Sequence, residues 1–295
     1  MSPITKAVFP VAGPGSRLLS AASPGPREMM PVVDKPLIQY ALEEALAAGL
    51  TDMVFITGGR HAAADHFDAA DELDIALELR GKTDLIETVH KLLPKGVNCV
   101  FVRQAEPRGL GHAILRARAL IGDGAFAVIL ADDLIEARPG ALAQMLAQHE
   151  RYRCSIVGVQ RIGREEAAQH CVVRCHALFD SLSQVAGIAK YPRPADAPST
   201  LGIVGRYILT PRIFDHLESA VPGPDGGVHL ADAIAKLLRE EQVLAFEFLG
   251  TRYDCASKLG YLKATLAYGL THPEVGPGFA AFLEKRMAGP QICAE

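Results

Sequence analysis

The chain has 295 residues, of which 49% are hydrophobic and 22% are charged, so it can bury a sizeable core. Its 30 basic and 34 acidic residues give a formal net charge of −4, and no Lys/Arg tract stands out, so neither nucleic acid nor a membrane surface is an expected partner. No signal peptide and no run of roughly 18 apolar residues is recognised. Six scattered cysteines are typical of reduced thiols. We expect a cytoplasmic protein.

Short apolar runs alternate with helical patterns through the first half of the chain. Runs rich in Val, Ile and Phe are typical of strands buried on both faces of a parallel sheet. The predicted strands are 7–12, 53–57, 99–103, 126–131 and 155–160, and the predicted helices are 37–46, 112–120 and 140–151. This repetition predicts right-handed crossovers and a doubly wound, mostly parallel α/β sheet of the Rossmann-like kind.

After residue 161 the predicted strands follow one another without helices between them, which indicates an antiparallel or mixed extension of the sheet. A helical C-terminal part comes last, and one of its helices has an apolar stripe at Leu259, Leu262 and Leu266. The predicted strands are 171–175, 182–189, 201–209 and 243–248, and the predicted helices are 211–219, 230–239 and 279–287. No linker or internal repeat divides the chain, so we predict one domain over 1–295.

A glycine-rich loop, Gly13-Pro14-Gly15-Ser16-Arg17, directly follows the first predicted strand. Glycines at this place let backbone N–H groups approach a phosphate. The loop lacks the third glycine of a dinucleotide-binding fingerprint, where Leu18 stands, and the Gly-Lys-Ser/Thr of a P-loop. A tight turn without a ligand remains the alternative interpretation.

Several further motifs extend this loop into a longer signature. They are Pro26-Arg27-Glu28-Met29-Met30-Pro31, Val33-Asp34-Lys35-Pro36-Leu37, Val102-Arg103-Gln104, Gly109-Leu110-Gly111-His112-Ala113, Leu130-Ala131-Asp132-Asp133, Val204-Gly205-Arg206-Tyr207 and Tyr253-Asp254-Cys255-Ala256-Ser257-Lys258. The set resembles the sugar-1-phosphate nucleotidyltransferases and, more narrowly, the bacterial UTP–glucose-1-phosphate uridylyltransferases, over residues 6–286.

The resemblance implies that a sugar 1-phosphate attacks the α-phosphate of UTP, with Mg²⁺ as cofactor, to give a UDP-sugar and pyrophosphate. It divides the domain into a nucleotide-binding half (1–160), a sugar-binding half (161–250) and C-terminal helices (251–295), and it implies a homodimer or homotetramer. The implied catalytic cations are Arg17, Arg27 and Lys190. The implied nucleotide contacts are Ala12, Gly13, Gly15, Ser16, Glu28, Gln104 and Gly109. The implied sugar contacts are Asp133, Cys171, Lys190, Tyr191 and Val204.

The residue types suit these roles. Arg17 offers a guanidinium fork to phosphate oxygens. Gln104 has an amide with both a donor and an acceptor for the uracil edge. Asp132 and Asp254 end extended segments, and two carboxylates suit one Mg²⁺ that is held mainly by phosphate oxygens. Asp133 is a weaker third candidate for the metal.

Departures from the family pattern gather on the sugar side. Lys190-Tyr191-Pro192 stands where the family has Glu-Lys-Pro, so the lysine has moved by one position. On a regular strand this shift turns Lys190 to the opposite face, unless a β-bulge restores its direction. We therefore expect any turnover of glucose 1-phosphate to be poor, and we expect the double change Lys190→Glu with Tyr191→Lys to improve it.

Other positions differ as well. The family has lysines at the positions of Ser23 and Arg27, and a Tyr-Gly pair at the position of His170-Cys171. The family also has a glutamate in the segment that reads Gly227-Val228-His229-Leu230 in this chain, where no acidic residue stands. Three interpretations follow: a working uridylyltransferase for glucose 1-phosphate, which we prefer, a non-catalytic uridine-nucleotide-binding paralogue that regulates an active enzyme, and an enzyme for another sugar 1-phosphate.

The segment His170-Cys171-Val172-Val173-Arg174-Cys175-His176 superficially resembles a zinc cluster. Side chains alternate along a strand, so the two histidines would face one side and the two cysteines the other. Such an arrangement cannot converge on a tetrahedral zinc ion, and we expect no metal there.

Overall fold

The structure is a computed structural model that describes residues 3–11, 27–58, 93–106, 108–179 and 181–288. Its strands are β1 (Lys6–Val11), β2 (Pro31–Val32), β3 (Lys35–Pro36), β4 (Asp52–Gly58), β5 (Asn98–Gln104), β6 (Phe126–Ile129), β7 (Asp133–Glu136), β8 (Ser155–Arg161), β9 (Cys171–Phe179), β10 (Leu182–Lys190), β11 (Leu201–Leu209), β12 (Val243–Glu247) and β13 (Thr251–Asp254). Its α-helices are α1 (Leu37–Ala47), α2 (Gly109–Leu115), α3 (Arg118–Ile121), α4 (Ala141–Tyr152), α5 (Ile213–Glu218), α6 (Leu230–Leu237), α7 (Lys258–Thr271) and α8 (Gly276–Ala288). Short 3₁₀ helices cover Arg27–Met29, Arg164–Gln169 and Pro194–Asp196.

Nine of the described strands form one sheet in the order β5-β4-β1-β6-β11-β8-β12-β10-β9. Strands β5, β4, β1 and β6 are parallel, β11 is antiparallel to both of its neighbours, and β10 and β9 form an antiparallel edge. The predicted α/β sheet with an antiparallel extension is confirmed.

Strand β11 lies in the middle of the sheet, between β6 and β8, and not in an extension at its edge. All its residues after the first are buried. A strand that is apolar on both faces must be covered by helices on both sides, which only an interior position provides.

Helices cover both faces of the sheet, and each face has its own apolar cluster. In β1, Ala7, Phe9 and Val11 belong to the cluster that includes residues of α1 and α4, whereas Val8 belongs to the cluster that includes residues of α2, α5 and α6. This alternation follows the two-residue period of a strand. It accounts for the unbroken apolar runs in the sequence.

Two small sheets at the carboxyl end of β6 were not predicted. Strand β7 pairs with β13, and β2 pairs with β3. Both pairs are too short to show a periodic pattern in the sequence. Next to them, Ser257 caps the start of α7 by accepting a hydrogen bond from the Gly260 N–H at 3.0 Å. The β7–β13 pair brings residue 133 opposite residue 254.

The predicted helix 112–120 is in fact two helices, α2 and α3. The Arg116 N–H reaches the carbonyls of both His112 and Ala113 at 3.2 Å, and the Ala117 N–H bonds the Ile114 carbonyl three residues back. Such i−3 bonds tighten the last turn and end a helix. Strands from both predicted halves of the domain share the central sheet, and the division into functional halves stays a prediction.

Candidate functional site

A buried ion pair holds the backbone just before Asp132. Arg206 of β11 is 1% exposed, and its guanidinium donates to Glu44 of α1 at 2.7 Å and to the Leu130 carbonyl at 3.1 Å. The Leu130 N–H in turn donates to the Gly205 carbonyl at 2.9 Å. Removing one member of a buried ion pair costs about 3–5 kcal/mol. The Arg206–Glu44 pair therefore fixes the end of β6 firmly.

Asp132 and Asp254 lie side by side at this strand end. The N–H of Cys255, the next residue after Asp254, donates to the Asp132 carbonyl at 2.8 Å. The Asp132 carboxylate forms an ion pair with the Arg27 guanidinium. Burial, more than the neighbouring charge of Asp133, raises the pKa of Asp132, whereas the Arg27 charge acts in the opposite direction. Asp132 is thus paired with one cation and lies close enough to Asp254 for that second carboxylate to act on its pKa in the same direction as burial.

The Asp133 carboxylate is engaged within the protein. One oxygen accepts from the Gly205 N–H at 2.5 Å, and the other accepts from the Arg252 guanidinium at 2.5 Å. Residue 205 must be glycine, because a Cβ there would lie 2.6 Å from the Leu130 side chain and 2.8 Å from the Asp133 carboxylate. These contacts leave Asp133 a smaller part in holding a sugar or a metal than Asp132 and Asp254.

Mg²⁺ fits the pair Asp132 and Asp254. Mg²⁺ prefers carboxylate oxygens and is usually held by one or two carboxylates together with substrate phosphates. Among the described residues no group of three or more His, Cys, Asp or Glu side chains could hold a metal ion. A site with two carboxylates therefore needs phosphate oxygens to complete it.

The base-side residues lie where β5 ends and α2 begins. Gln104 is 2% exposed, and its amide nitrogen lies 3.5 Å from the Gly109 carbonyl and 2.6 Å from Nδ1 of His112. Gly109 has a φ of +85°, and a Cβ there would lie 3.0 Å from the Val228 carbonyl. Only glycine combines this left-handed backbone with so close an approach. The geometry explains the glycine at the start of α2.

A cleft of about 190 Å³ lies against α6, β9 and β10. Leu110, which directly follows Gly109, and Leu130, two residues before Asp132, both line this cleft. Complete ligand sites usually measure about 300–1,000 Å³, so this cleft would take only part of a substrate. Its polar lining comprises Gln169, His170, Cys171, Lys190, Tyr191 and His229.

A β-bulge turns Lys190 towards this cleft. The register of β10 against β9 shifts between Val185 and Gly187, so Ala186 is an extra residue, and Lys190 then pairs with Cys171. Val185 and Lys190 are five positions apart and would face opposite sides of a regular strand. With the bulge, Val185 faces the cluster that contains residues of α6, and Lys190 lines the cleft on that same side.

Asp232 and Tyr191 complete the surroundings of Lys190. The Lys190 ammonium donates to the Asp232 carboxylate of α6 at 2.6 Å, and both side chains are partly exposed. Tyr191 has a φ of +48°, and its N–H donates to the His170 carbonyl at 3.0 Å. The left-handed turn at Tyr191 ends the strand directly after the lysine.

The remaining sequence predictions fall outside the described residues or away from the cleft. Ala12, Gly13, Gly15, Ser16 and Arg17 lie outside the part of the chain that the structure describes. Glu28 is buried in the 3₁₀ helix beside Arg27. The Val204 side chain is buried in the apolar cluster that includes Ala131, whereas its neighbour Ile203 lines the cleft. Cys171 and Cys175 pack against the other cluster, with Val173 between them.

Sequence reasoning did not find Arg252, His112 or Asp232. Arg252 stands directly before the Tyr253-Asp254 motif, and His112 lies inside the Gly109-Leu110-Gly111-His112-Ala113 motif. The sequence therefore placed both residues next to the motifs but did not indicate which side chains they contact. Asp232 lies far from Lys190 in the chain, and only the packing of α6 against β10 reveals the pair.

The fold agrees with the comparisons with known families. The model of the family described as "Nucleotidyl transferase" matches residues 6–268. The class of protein is therefore a nucleotidyl transferase. No helix in the described part of the chain has the length and apolar character needed to cross a membrane.

Individual relatives narrow the class. The UTP–glucose-1-phosphate uridylyltransferase of Staphylococcus epidermidis is 41% identical over 286 residues, covering 97% of this chain and 99% of the relative. That of Pseudomonas aeruginosa is 44% identical over 267 residues, covering 89% and 95%. A crystal structure of UDP-glucose pyrophosphorylase complexed with UDP-glucose matches at a TM-score of 0.77 and 38% identity, covering 90% of this chain and 98% of its own. A UTP-bound UGPase from Acinetobacter baumannii matches at a TM-score of 0.79 and 36% identity, covering 96% and 99%. The chain belongs to the UTP–glucose-1-phosphate uridylyltransferase family.

Proposed function

We propose that this chain makes UDP-glucose and pyrophosphate from UTP and glucose 1-phosphate, with Mg²⁺ as its cofactor. An oxygen of the sugar phosphate forms a bond to the α-phosphorus of UTP, and the bond from that phosphorus to the oxygen bridging to the β-phosphorus breaks. The observation that supports this most is the lining of the cleft, which combines Lys190 with Leu110, the residue after Gly109, and with Leu130, two residues before Asp132.

The reaction needs no side-chain nucleophile, because the sugar phosphate itself attacks. The chain's part is to bring two polyanions together in line and to offset their charge. Gln104 and Gly109 would hold the uracil, and Asp132 with Asp254 would hold Mg²⁺, which offsets phosphate charge when it is bound. Arg27, and Arg17 outside the described residues, would contact the triphosphate.

Lys190 would bind the phosphate of the sugar 1-phosphate. Its ammonium lies in the cleft and is paired with Asp232 at 2.6 Å. An arriving phosphate would compete with this carboxylate for the ammonium. The bulge therefore favours a working enzyme over a non-catalytic paralogue, because it returns a cation to the sugar side that the sequence shift had put in doubt.

The direct test is pyrophosphate release with Mg²⁺, UTP and glucose 1-phosphate, alongside a panel of other sugar 1-phosphates. We expect glucose 1-phosphate to give the highest kcat/KM. Release with another sugar alone would identify a different acceptor. Binding of UTP without release from any sugar phosphate would identify the non-catalytic paralogue.

UTP with Mg²⁺ should also raise the melting temperature. A ligand that binds only the folded state adds about 2.7 kcal/mol of stability at a concentration 100-fold above its Kd. Differential scanning fluorimetry with UTP, and with glucose 1-phosphate alone as a comparison, measures the shift. An unchanged melting temperature at millimolar UTP would contradict nucleotide binding.

We also propose that the chain forms a homodimer or homotetramer, and that α7 provides part of the contact. Leu259, Leu262, Leu266 and Leu270 lie on one stripe of α7 and are 63%, 64%, 42% and 41% exposed. Phe282 of α8 is exposed as well. A row of exposed apolar side chains on one helix face is typical of an interaction surface.

The patch gives a direct test of self-association. Leu262→Glu places a charge in the middle of the stripe and should shift the protein to a smaller species in light scattering coupled to gel filtration. Lys263→Ala, on the adjacent exposed position, is the matched control and should leave the mass unchanged. An equal mass for wild type and Leu262→Glu would contradict this surface.

We also propose that the enzyme acts in the cytoplasm, which is a reducing compartment. The five cysteines in the described part of the chain, Cys99, Cys154, Cys171, Cys175 and Cys255, are free thiols. Free thiols are typical of reducing compartments.

A further inference from the structure

The contact between Gln104 and His112 raises the question of which end of the Gln104 amide faces a bound base. The side-chain amide has a nitrogen that donates and an oxygen that accepts. Its orientation in the protein follows from its partners. The Gly109 carbonyl, 3.5 Å from the amide group, can only accept, so the nitrogen must face it.

His112 fixes the same orientation at a shorter distance. Its Nδ1 lies 2.6 Å from the amide nitrogen of Gln104. A neutral imidazole with its proton on Nε2 presents an acceptor at Nδ1. Burial, followed by the charges of Arg108 and Arg116, lowers the pKa of His112, which supports the neutral ring near pH 7. The amide nitrogen is therefore held by two acceptors.

The amide oxygen is the end that remains. Both hydrogen-bond contacts seen for the Gln104 side chain in the described part of the chain are made by its nitrogen. Nearby, the N–H of Gly109 is in the first turn of α2, where backbone N–H groups have no partner within the helix. An acceptor and a donor thus stand near each other at the base side.

We infer that His112 is a positioning residue that sets the nucleobase specificity of the site, by holding the Gln104 amide with its oxygen towards the base. The inference deepens the proposed function and rests on it. Uracil presents the N3–H donor beside the O4 acceptor, which complements the Gln104 oxygen and the Gly109 N–H. Cytosine presents the reverse pair, the N3 acceptor beside the N4 amino donor, and is rejected. Thymine has the same donor and acceptor as uracil and is not distinguished by this contact.

The reverse orientation would reverse the preference. If His112 offered no acceptor, the amide could rotate and present its nitrogen to N3 of cytosine. A side chain that only packs against Gln104 would change the binding of all pyrimidine nucleotides together. The ratio between nucleotides therefore separates positioning from packing.

The test is isothermal titration calorimetry of UTP, CTP and dTTP with Mg²⁺, on wild type, His112→Leu and His112→Asn. Leucine removes the acceptor. Asparagine places its Oδ1 at the same bond distance from the backbone as Nδ1 and can accept again. We expect His112→Leu to reduce the UTP-to-CTP affinity ratio by roughly tenfold or more. This is the change in affinity that corresponds to the loss of about one hydrogen bond. The UTP-to-dTTP ratio should stay unchanged, and His112→Asn should restore most of the discrimination.

The outcomes are distinguishable. A wild-type protein that does not bind UTP overturns the proposed function. A wild-type protein that prefers UTP, with the same UTP-to-CTP ratio in the leucine variant, overturns only the role of His112. Should the leucine variant fail to fold, the ¹⁵N shifts of His112 in the wild type, assigned by comparison with His112→Asn, decide the matter. An Nε2–H tautomer supports the inference, and an Nδ1–H or doubly protonated ring overturns it.

Discussion

Asp132→Asn and Asp254→Asn should each reduce kcat/KM with Mg²⁺ by well over 100-fold. The two residues lie side by side, joined by the hydrogen bond from Cys255 N–H to the Asp132 carbonyl at 2.8 Å. An amide keeps the shape of the carboxylate and loses its charge, which a divalent ion needs. Loss of a residue that only supports a metal ligand costs about 10–100-fold in affinity or activity, so loss of a ligand should cost more.

The measurement is the Mg²⁺ dependence of pyrophosphate release, together with Mn²⁺ binding in the presence of UTP. Asp123→Asn is the matched control, because Asp123 is exposed and stands just before β6, at the opposite end of the strand from Asp132. It should behave as wild type. Wild-type metal dependence in both site variants would show that neither carboxylate holds the metal.

Arg27 adds a second expectation to the same experiment. Its guanidinium forms an ion pair with Asp132, so it competes with a metal for that carboxylate. In Asp132→Asn this competition disappears along with the ligand, whereas in Asp254→Asn it persists. If Arg27 stays paired with Asp132 while the metal is bound, the Asp254→Asn variant should bind the metal more weakly than the Asp132→Asn variant.

The sequence predicted the interior strands well, because they are apolar on both faces, whereas β5, also expected to be buried on both faces, lies at the edge of the described sheet with Val100 exposed. Strand β11 is an example: it extends over Leu201–Leu209, as the sequence predicts, although its place in the middle of the sheet did not follow from the sequence. Strand order depends on which faces are covered by helices, and a local pattern does not contain that information.

The contacts within the site were harder to predict. The motifs indicated Gln104, Asp132 and Asp254 through the family resemblance, and the structure joins the segments of the two aspartates through the hydrogen bond from Cys255 N–H to the Asp132 carbonyl. The pair of Asp133 with Arg252 and the pair of Lys190 with Asp232 each join distant parts of the chain. Such ion pairs form because packing brings the two segments together. The positions of charged residues in the sequence do not predict which of the many possible pairs form.

The bulge in β10 is the case where the sequence left two outcomes open. A bulge changes the face of every later residue in the strand, yet it needs only one extra residue. Ala186 next to Gly187 gives no distinctive signal for it. The direction of Lys190, and with it the expected activity, therefore depended on the three-dimensional structure.

Lys190→Met should reduce kcat/KM for glucose 1-phosphate by about 100- to 1,000-fold and leave UTP affinity nearly unchanged. A preorganised group that offsets charge in the transition state is typically worth that factor. Methionine retains most of the apolar length of lysine, so the cleft should keep its shape. Lys236→Met is the control, because this lysine is on α6 but does not line the cleft. Steady-state kinetics with varied glucose 1-phosphate at saturating UTP gives the comparison.

The double change Lys190→Glu with Tyr191→Lys restores the family's order of residues and is the sharper test. On a regular strand it should improve the enzyme. With the bulge, it places a carboxylate in the cleft, opposite Asp232 and in the path of the sugar phosphate, and it moves the ammonium to a residue whose backbone has a φ of +48°. The new carboxylate would repel the negative charges of both Asp232 and the sugar phosphate, so we expect activity to fall at least as far as in Lys190→Met. A double variant more active than wild type would show that Lys190 does not hold the sugar phosphate and that position 191 is the productive one.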